Sequence, residues 1–289
     1  MRKIFFALHE FCEIKTMETI INYCLVAGHK IHWNLLSFSV NTDFFFHGIE
    51  KAFAGFDNVS VFQFSDPEKL SSIKIYGFKT DMTHELDSYV YAFIPSAEIV
   101  TCRLYKRGGI GLRGSVPMVV LGNVKVKSPV EDFQVEIFHR LSQLPYNVVI
   151  VPRHPLVSEE MTRVKIPRNI EFMNTMGELE DLHASASLTI MGRIFSNDGL
   201  KPDDDHNPIE ATINSNTLCG IIKEVPESYK WLYEESGLIH QCQSYEEVFS
   251  GIDKLIFDPD LPKKLEMRDE WIINNRTKYL RKVEEVLDL

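Results

Sequence analysis

The sequence lacks the features that mark disulfide-stabilised, zinc-binding or membrane-spanning proteins. Its 289 residues include five scattered cysteines, and no CxxC pair occurs among them. This pattern predicts buried, reduced thiols in a cytoplasmic protein and no metal site. No apolar run approaches about 18 residues, so no transmembrane helix is expected. The apolar run near the N-terminus is interrupted at His9 and Glu10 and lacks a small-residue cleavage site, which argues against a signal peptide.

The chain also lacks an excess of basic residues. Its formal net charge is -10 at pH 7, which argues against nucleic acid as a partner bound through a broad basic surface. The apolar content of 44% and charged content of 25% are ordinary for a globular protein. The length is sufficient for one large domain or two modest ones. No solenoid repeat and no low-complexity segment is present.

The first third of the chain alternates short apolar runs with helical patterns. Residues 3–8, 31–38 and 59–64 are predicted to form strands, because they are short, largely apolar runs. Residues 9–13 are predicted to form a turn. Residues 16–27 carry apolar side chains at helical spacing, and residues 43–53 are predicted to form the next helix. The order β-α-β-α-β predicts a parallel sheet with helices on its faces. The pattern is harder to interpret from residue 65 to 115, where residues 89–94 could form a strand and residues 98–105 a helix or a strand.

A second α/β series follows a glycine-rich stretch at residues 107–115. We interpret that stretch as a linker, since it lacks the ending of a P-loop and the spacing of a dinucleotide fingerprint. Strands are predicted at residues 118–121, 147–151, 170–173, 188–191 and 217–222, and helices at 130–144, 176–185, 208–215, 229–235, 245–255 and 261–287. The domains expected are therefore residues 1–112 and 113–269.

Two predicted helix starts flank the strand at residues 188–191. One begins near Asn174 and the other at Pro208, which Asn207 precedes as the expected N-cap. Helix N-termini attract anions, and open α/β folds bind ligands at the carboxyl ends of their strands. Arg153 directly follows another predicted strand, where it could bind phosphate or form a surface ion pair. Lys125 is a second phosphate candidate.

Four sequence blocks resemble those of one enzyme family, in the same order and at similar spacing. They are Val120-Leu-Gly-Asn-Val-Lys125, Val149-Ile-Val-Pro-Arg-His-Pro155, Asn174-Thr-Met-Gly-Glu-Leu179 and His206-Asn-Pro-Ile-Glu-Ala211. The chain resembles the Kdo transferases, the 3-deoxy-D-manno-octulosonic acid transferases of lipopolysaccharide biosynthesis. The resemblance implies an α/β fold of the GT-B class, in which two Rossmann-like domains with parallel sheets face a cleft. It also implies that a C-terminal helix, about residues 270–289, packs back on the first domain.

The resemblance implies a nucleotide-sugar donor site in the second domain. Arg153, His154, Met176, Gly177, Glu178, Asn207 and Glu210 are the implied donor-binding residues, and Lys125 and Arg193 are further candidates for the phosphate. Glu210 is placed to accept the ribose hydroxyls, although a helix-start acid there needs no ligand. Likewise, Thr175 and Glu178 form a capping-box pattern that is sufficient by itself to explain both residues.

The first domain resembles the family around Glu13. The family has a Ser-Val-Gly-Glu turn after its first strand, and its glutamate is the catalytic base; Glu13 takes that position here, with Cys12 in place of the glycine. A solvated acid in the first turn of a helix is the alternative reading, and Glu10 is a second candidate for the base. Compared with the family, we expect a shorter acceptor half without the family's N-terminal membrane anchor.

The implied reaction transfers a sugar from a nucleotide donor, CMP-Kdo or a related acid, to a glycan or lipid-linked acceptor. It needs no cofactor and no metal, and it takes place in the cytoplasm or at the inner face of the membrane, with at most peripheral membrane contact. Asp203, Asp204 and Asp205 depart from the family, which has glycines there. They fit a solvated loop, a cation site, an altered donor or a lost activity. Together with the shortened first half and Cys12, the aspartates leave a non-catalytic protein that binds a nucleotide sugar or a partner as one alternative function. A sugar-nucleotide epimerase on the same fold is another.

Overall fold

The structure, a computed structural model, divides into two units. The first is formed by two separate segments of the chain, and the second by one continuous segment. The first unit comprises Met1–Leu104 and Trp271–Leu289, and the second comprises Tyr105–Glu270. The described residues are 1–9, 11–38, 42–63, 73–79, 90–95, 117–124, 131–152, 167–173, 179–191, 208–222 and 224–289.

The first unit contains a five-stranded parallel sheet. Its strands are β1 (Arg2–Leu8), β2 (Ile31–Ser37), β3 (Val59–Gln63), β4 (Ile75–Lys79) and β5 (Val90–Pro95). The spatial order is β3-β2-β1-β4-β5, and every pairing is parallel. Helix α1 (Phe11–Val26) connects β1 to β2, and α2 (Thr42–Phe53) connects β2 to β3. This is the strand order of the first five strands of a Rossmann fold.

The main core of the first unit is formed by the side chains on one face of β1 and β2. Ile4, Phe6 and Leu8 of β1 point to one face and are at most 1% exposed, since side chains alternate across a strand. Trp33 and Leu35 of β2 lie on that same face. The face packs against apolar residues of α1 and α2, namely Ile14, Met17, Ile20, Ile21, Phe45, Ile49 and Phe53.

The second unit contains a six-stranded parallel sheet. Its strands are β6 (Met118–Val124), β7 (Asn147–Pro152), β8 (Ile170–Phe172), β9 (Leu188–Met191), β10 (Asn216–Gly220) and β11 (Ile239–Cys242). The spatial order is β11-β10-β9-β6-β7-β8, again wholly parallel. Read from β8, this is the complete Rossmann order 3-2-1-4-5-6. Both sheets therefore agree with the α/β class predicted from the sequence.

The helices of the second unit vary widely in length. They are α3 (Asp132–Ser142), α4 (Leu179–Ser185), the four-residue α5 (Pro208–Ala211), a 3₁₀ turn (Glu227–Tyr229), a π-helical turn (Trp231–Glu235) and α6 (Tyr245–Ile256). The final helix, α7 (Leu261–Leu287), begins in this unit and continues into the first. Tyr279, Leu280, Val283 and Leu287 of α7 belong to the core of the first unit.

Three predicted element boundaries need correction. The segment from His9 to Glu13, predicted to be a turn, becomes helical at Phe11, so Glu13 lies in the first turn of α1. The helix predicted for residues 208–215 ends at Ala211. The helix predicted for residues 229–235 is a 3₁₀ turn followed by a π-helical turn. Strands β4 and β11 are additions that the sequence pattern did not indicate.

Burial of the described cysteines agrees with the expectation of reduced thiols. Cys24, Cys219 and Cys242 are buried and form no disulfide. Burial raises the pKa of the Cys24 and Cys219 thiols to about 12, so both are protonated at neutral pH.

Among the helices described, none is long and apolar enough to cross a bilayer.

Candidate functional site

Each sheet has a switch point, a place where successive connections leave in opposite directions and ligands bind outside the carboxyl ends of the strands. In the first unit it lies between β1 and β4, and in the second between β6 and β9. Gly122 near the end of β6 is in register with Met191 at the end of β9. The residues that follow these strand ends are the first candidates for function.

Glu13 lies just beyond β1 and is completely buried. Its side chain is 0% exposed, and its Oε2 accepts a hydrogen bond from the backbone N–H of His9 at 2.6 Å. Because α1 begins at Phe11, the carboxylate also lies within the first turn, where the helix dipole favours a negative charge. The solvated-acid reading is therefore wrong: Glu13 is a fixed, buried carboxylate at the carboxyl edge of the sheet.

His9, directly after β1, contacts the residue that directly follows β2. It lies 5.5 Å from the ring of Phe38, between centroids, and the N–H of Phe38 donates to the carbonyl of Leu8 at 3.0 Å. The ends of β1 and β2 are thus joined by a backbone bond and a ring contact. His9 is held at both its backbone and its ring, which fixes the N–H that Glu13 accepts.

Glu210 lies in α5 and is partly exposed. A four-residue helix has almost no internal hydrogen bonds, so its carbonyl groups require other partners. The Nδ1–H of His183 donates to the carbonyl of Glu210 at 3.0 Å, since a carbonyl can only accept. The hydroxyl of Thr217 donates to the carbonyl of Ala211 at 2.9 Å.

Arg268 of α7 secures the same short helix from another direction. It is 1% exposed, and its Nη2–H donates to the carbonyl of Ile209 at 2.8 Å. Its Nε–H donates to the hydroxyl of Thr212 at 3.2 Å, and that hydroxyl lies 3.1 Å from the carbonyls of both Pro208 and Ile209. Its Nη1 pairs with Asp269 at 2.9 Å. Side chains therefore engage all four carbonyls of α5.

Gly122 makes room for the histidine that contacts α5. A Cβ atom on Gly122 would lie 2.9 Å from Nε2 of His183 and 3.3 Å from Cδ1 of Leu179. Real Cβ atoms do not approach neighbours at 2.9 Å, so this position requires glycine or a displaced histidine. His183 is 3% exposed and thus connects the end of β6 to α5 across the switch point.

Two of the predicted site residues, Glu13 and Glu210, are described by the structure. The others lie outside the described residues: Glu10, Lys125, Arg153, His154, Met176, Gly177, Glu178, Arg193 and Asn207, together with Asp203, Asp204 and Asp205. Within the part that is described, no group of three His, Cys, Asp or Glu side chains could hold a metal ion.

Sequence reasoning missed Gly122, His183 and Arg268. Arg268 did leave a signal, because it falls on the apolar stripe of α7 that contains Leu261, Leu265 and Ile272, and a cation on such a stripe indicates a buried partner. His183 left a weaker signal, a single histidine near the end of a helix that precedes a buried strand. Its partner is a backbone carbonyl, which no side-chain pattern could indicate.

Comparison with known proteins adds evidence at the level of the fold. No family model and no curated sequence matches the chain. Among solved structures, Anabaena Alr3699/HepE in complex with UDP-glucose matches with a TM-score of 0.58, at 11% identity, over 99% of this chain and 100% of that one. The calicheamicin glycosyltransferase CalG4 matches with a TM-score of 0.54, at 11% identity, over 100% and 98%.

A third structure has a different assigned activity. A Listeria monocytogenes protein assigned as a UDP-N-acetylglucosamine 2-epimerase matches with a TM-score of 0.54, at 8% identity, over 91% of this chain and 90% of that one. At such identities the likeness shows the fold. The chain has the α/β fold of the GT-B glycosyltransferases, with a Rossmann-like strand order in both units.

Proposed function

We propose that this protein is a glycosyltransferase that moves a sugar from a nucleotide donor to a hydroxyl group of a glycan or lipid-linked acceptor. The observation that supports it most directly is Glu13, a buried carboxylate fixed at the carboxyl edge of the first sheet. Burying a carboxylate is costly unless its charge is compensated. A fixed acid at this edge suits a general base, in a chain that matches glycosyltransferase structures over nearly its full length.

In the proposed reaction Glu13 takes the proton of the acceptor hydroxyl as its oxygen attacks the anomeric carbon. The bond from that carbon to the phosphate oxygen breaks, and the nucleotide leaves with the electron pair. A single displacement of this kind inverts the anomeric centre. Base catalysis of this type contributes a factor of about 10² to 10⁴ in rate. Because Glu13 is covered, the acceptor must displace protein atoms to reach it.

The donor side of the proposal centres on Glu210. Its carboxylate would accept the ribose hydroxyls, while Arg153, Lys125, Arg193 and the backbone N–H groups of Met176 and Gly177 would neutralise the leaving phosphate without a metal. The resemblance to Kdo transferases favours CMP-Kdo or a related acid. The HepE structure, which contains UDP-glucose, favours a UDP-sugar. A lipid-linked acceptor would bring the protein to the inner face of the membrane as a peripheral protein.

Nucleotide binding tests the donor side. Thermal unfolding would be measured with CMP, UDP, GDP and ADP, and one of them is expected to raise the midpoint because it binds the folded protein. Glu210→Ala should remove that rise, while Glu136→Ala, an exposed acid on α3 of the same unit, should keep it. No response to any nucleotide would contradict both a glycosyltransferase and an epimerase.

Turnover tests the base. With the nucleotide sugar that binds, Glu13→Gln should lower kcat by about a hundredfold or more and leave nucleotide binding unchanged. Glu18→Gln serves as the control, since Glu18 lies on the exposed side of the same helix. If Glu13→Gln unfolds more easily but retains full kcat, then Glu13 only joins α1 to β1 and is not the base.

An epimerase is the second candidate, because an epimerase structure matches with a similar TM-score. It would convert a UDP-sugar into its epimer without any acceptor, which proton NMR of the donor detects. Tight nucleotide binding with neither transfer nor epimerisation would instead identify a non-catalytic binding protein.

A further inference from the structure

Buried polar side chains of the first unit concentrate at one place. Four are buried among its described residues: Glu13, Thr16, Asn34 and Ser37. Asn34 lies in mid-strand and approaches the carbonyl of Ile4 at 3.4 Å. The other three, which we call the polar edge, lie near the carboxyl end of the sheet. Buried polar residues are uncommon in an apolar core, so three of them at one end of the sheet suggest a function.

The three residues of the polar edge share one face of the sheet. Ser37 is the last residue of β2 and is in register with Leu8, the last residue of β1. Alternation places its side chain on the face of Trp33 and Leu35, which α1 and α2 cover. Glu13 and Thr16 lie on α1 at a spacing of three, so they are neighbours on the helix surface.

Ser37 stands out because its hydroxyl is buried without a partner. It is 2% exposed, and its Oγ has no hydrogen-bond partner among the described residues. An unsatisfied buried hydroxyl costs about 1–3 kcal/mol, and such groups call for an explanation. The indole N–H of Trp33 likewise lacks a described partner, but it lies in the middle of β2, within the apolar core, so we assign it no ligand.

We propose that the polar edge binds the acceptor through neutral hydroxyl groups, with Ser37 as the hydrogen-bond partner of one of them. This proposal rests on the proposed function, because only a glycosyltransferase would have an acceptor to bind there. A hydroxyl of Ser37 can both donate to and accept from a sugar hydroxyl. The group that binds next to Glu13 is then part of a neutral sugar, since serine and threonine offer hydrogen bonds without charge.

Charge favours a neutral group over an anionic one at the same place. A general base must be ionised to take a proton, so the role proposed for Glu13 places a negative charge in the first turn of α1. A phosphate or carboxylate on an acceptor bound at the polar edge would face this like charge. Lys15 is the nearest cation along α1, and its side chain is exposed. We therefore expect the polar edge to bind neutral sugars in preference to sugar phosphates.

Ser37→Ala provides a test in which stability and binding change in opposite directions. Removing an unpartnered hydroxyl should leave the thermal midpoint unchanged or raise it. The matched control is Ser60→Ala on β3, whose Oγ is bonded to Nε2 of His32 at 2.9 Å. That variant should lower the midpoint. A midpoint of Ser37→Ala that falls as far as that of Ser60→Ala would overturn the proposal.

Binding would be measured by saturation-transfer NMR with glucose, galactose, mannose, N-acetylglucosamine and glucose 6-phosphate. At least one neutral sugar should bind, and Ser37→Ala should raise its dissociation constant about fivefold, as expected for one hydrogen bond. Ser60→Ala should bind as the wild type does. Tighter binding of glucose 6-phosphate than of glucose, equal binding by Ser37→Ala, or no binding of any neutral sugar would each contradict the proposal.

The two proposals fail in different ways. If neutral sugars bind through Ser37 while no nucleotide binds, the transferase is wrong and the sugar site remains. If a nucleotide binds and transfer occurs while Ser37→Ala retains the acceptor KM of the wild type, the polar edge is wrong and the transferase remains.

Discussion

In the first unit the candidate acid is fixed through its side chain, whereas in the second it is fixed through its backbone. Glu13 is buried, and its carboxylate accepts the N–H of His9. Glu210 is partly exposed, and its carbonyl accepts the Nδ1–H of His183. Both units share a Rossmann-like strand order, so the fold alone does not determine how an acid is held.

The difference fits the two roles that we propose for these acids. A general base must keep its carboxylate in one position relative to the proton that it removes. A carboxylate that contacts a bound nucleoside can stay accessible, provided that its backbone does not move. The second unit meets this requirement by engaging all four carbonyls of α5, through Arg268, Thr212, His183 and Thr217.

The largest expected effect is the loss of this backbone support. Arg268→Met should lower the free energy of unfolding by about 3 kcal/mol, because it leaves the buried carbonyl of Ile209 and hydroxyl of Thr212 without the guanidinium. Hydrogen exchange should increase around residues 208–212. Lys278→Met, on the exposed side of the same helix, should change stability by less than about 0.5 kcal/mol. Equal losses in the two variants would show that Arg268 does not secure α5.

A paired substitution of the two acids tests the contrast directly. Glu13→Ala should lower the free energy of unfolding by about 2 kcal/mol, since it removes the buried carboxylate that accepts the part-buried N–H of His9. Glu210→Ala should cost less, because its carboxylate is partly exposed and its carbonyl remains. Urea denaturation of the two variants side by side measures the difference. A larger loss in Glu210→Ala would reverse the comparison.

Gly122→Ala should disturb the second unit through His183. Its new Cβ would lie 2.9 Å from Nε2 of His183, and displacing a packed ring costs about 1.5 kcal/mol. Gly55→Ala in the first unit is the control, because nothing lies within 4 Å of its Cβ position. In a double-mutant cycle, Gly122→Ala should cost less when His183 is already alanine. If the losses of stability in the two single variants simply add in the double variant, then Gly122 and His183 do not interact.

The smallest expected effect depends on pH. Burial, and then the charge of Lys264, lowers the pKa of His240 below 6.5, so the folded state favours the neutral ring. Its stabilising contribution is therefore present above pH 6.5 and is lost as the pH falls through the lowered pKa. His240→Gln should show a shallower loss of stability on acidification than the wild type. His47→Gln, at an exposed histidine of the first unit, should follow the wild type.

Much of the architecture could be predicted from the sequence, because buried parallel strands are continuous apolar runs. The strand at Leu188–Met191 was predicted with its observed boundaries. By contrast, β4 was missed because its five residues contain a central glycine, Gly77, and a terminal lysine, and neither favours a strand. Without β4 the switch point of the first unit could not be located.

The candidate site was only partly predictable for a related reason. Glu13 was identified from a short resemblance, yet its burial depends on α1 beginning at Phe11, earlier than the apolar spacing of Met17 and Ile20 indicates. The helix predicted after Pro208 was too long, because Thr212 turns its hydroxyl back onto the carbonyls of α5. Hydroxyls that bond backbone in this way compete with helix propagation.

The path of α7 has a consequence for the order in which the protein can assemble. This helix has 27 residues, about 40 Å, and the guanidinium of Arg2 donates to the carbonyl of Asp288 at 2.7 Å. During synthesis the second unit is complete once Glu270 has emerged, whereas the first still awaits Trp271–Leu289. The unit whose strands are translated first is therefore finished last, because its core also needs residues of α7 that are translated after the whole second unit.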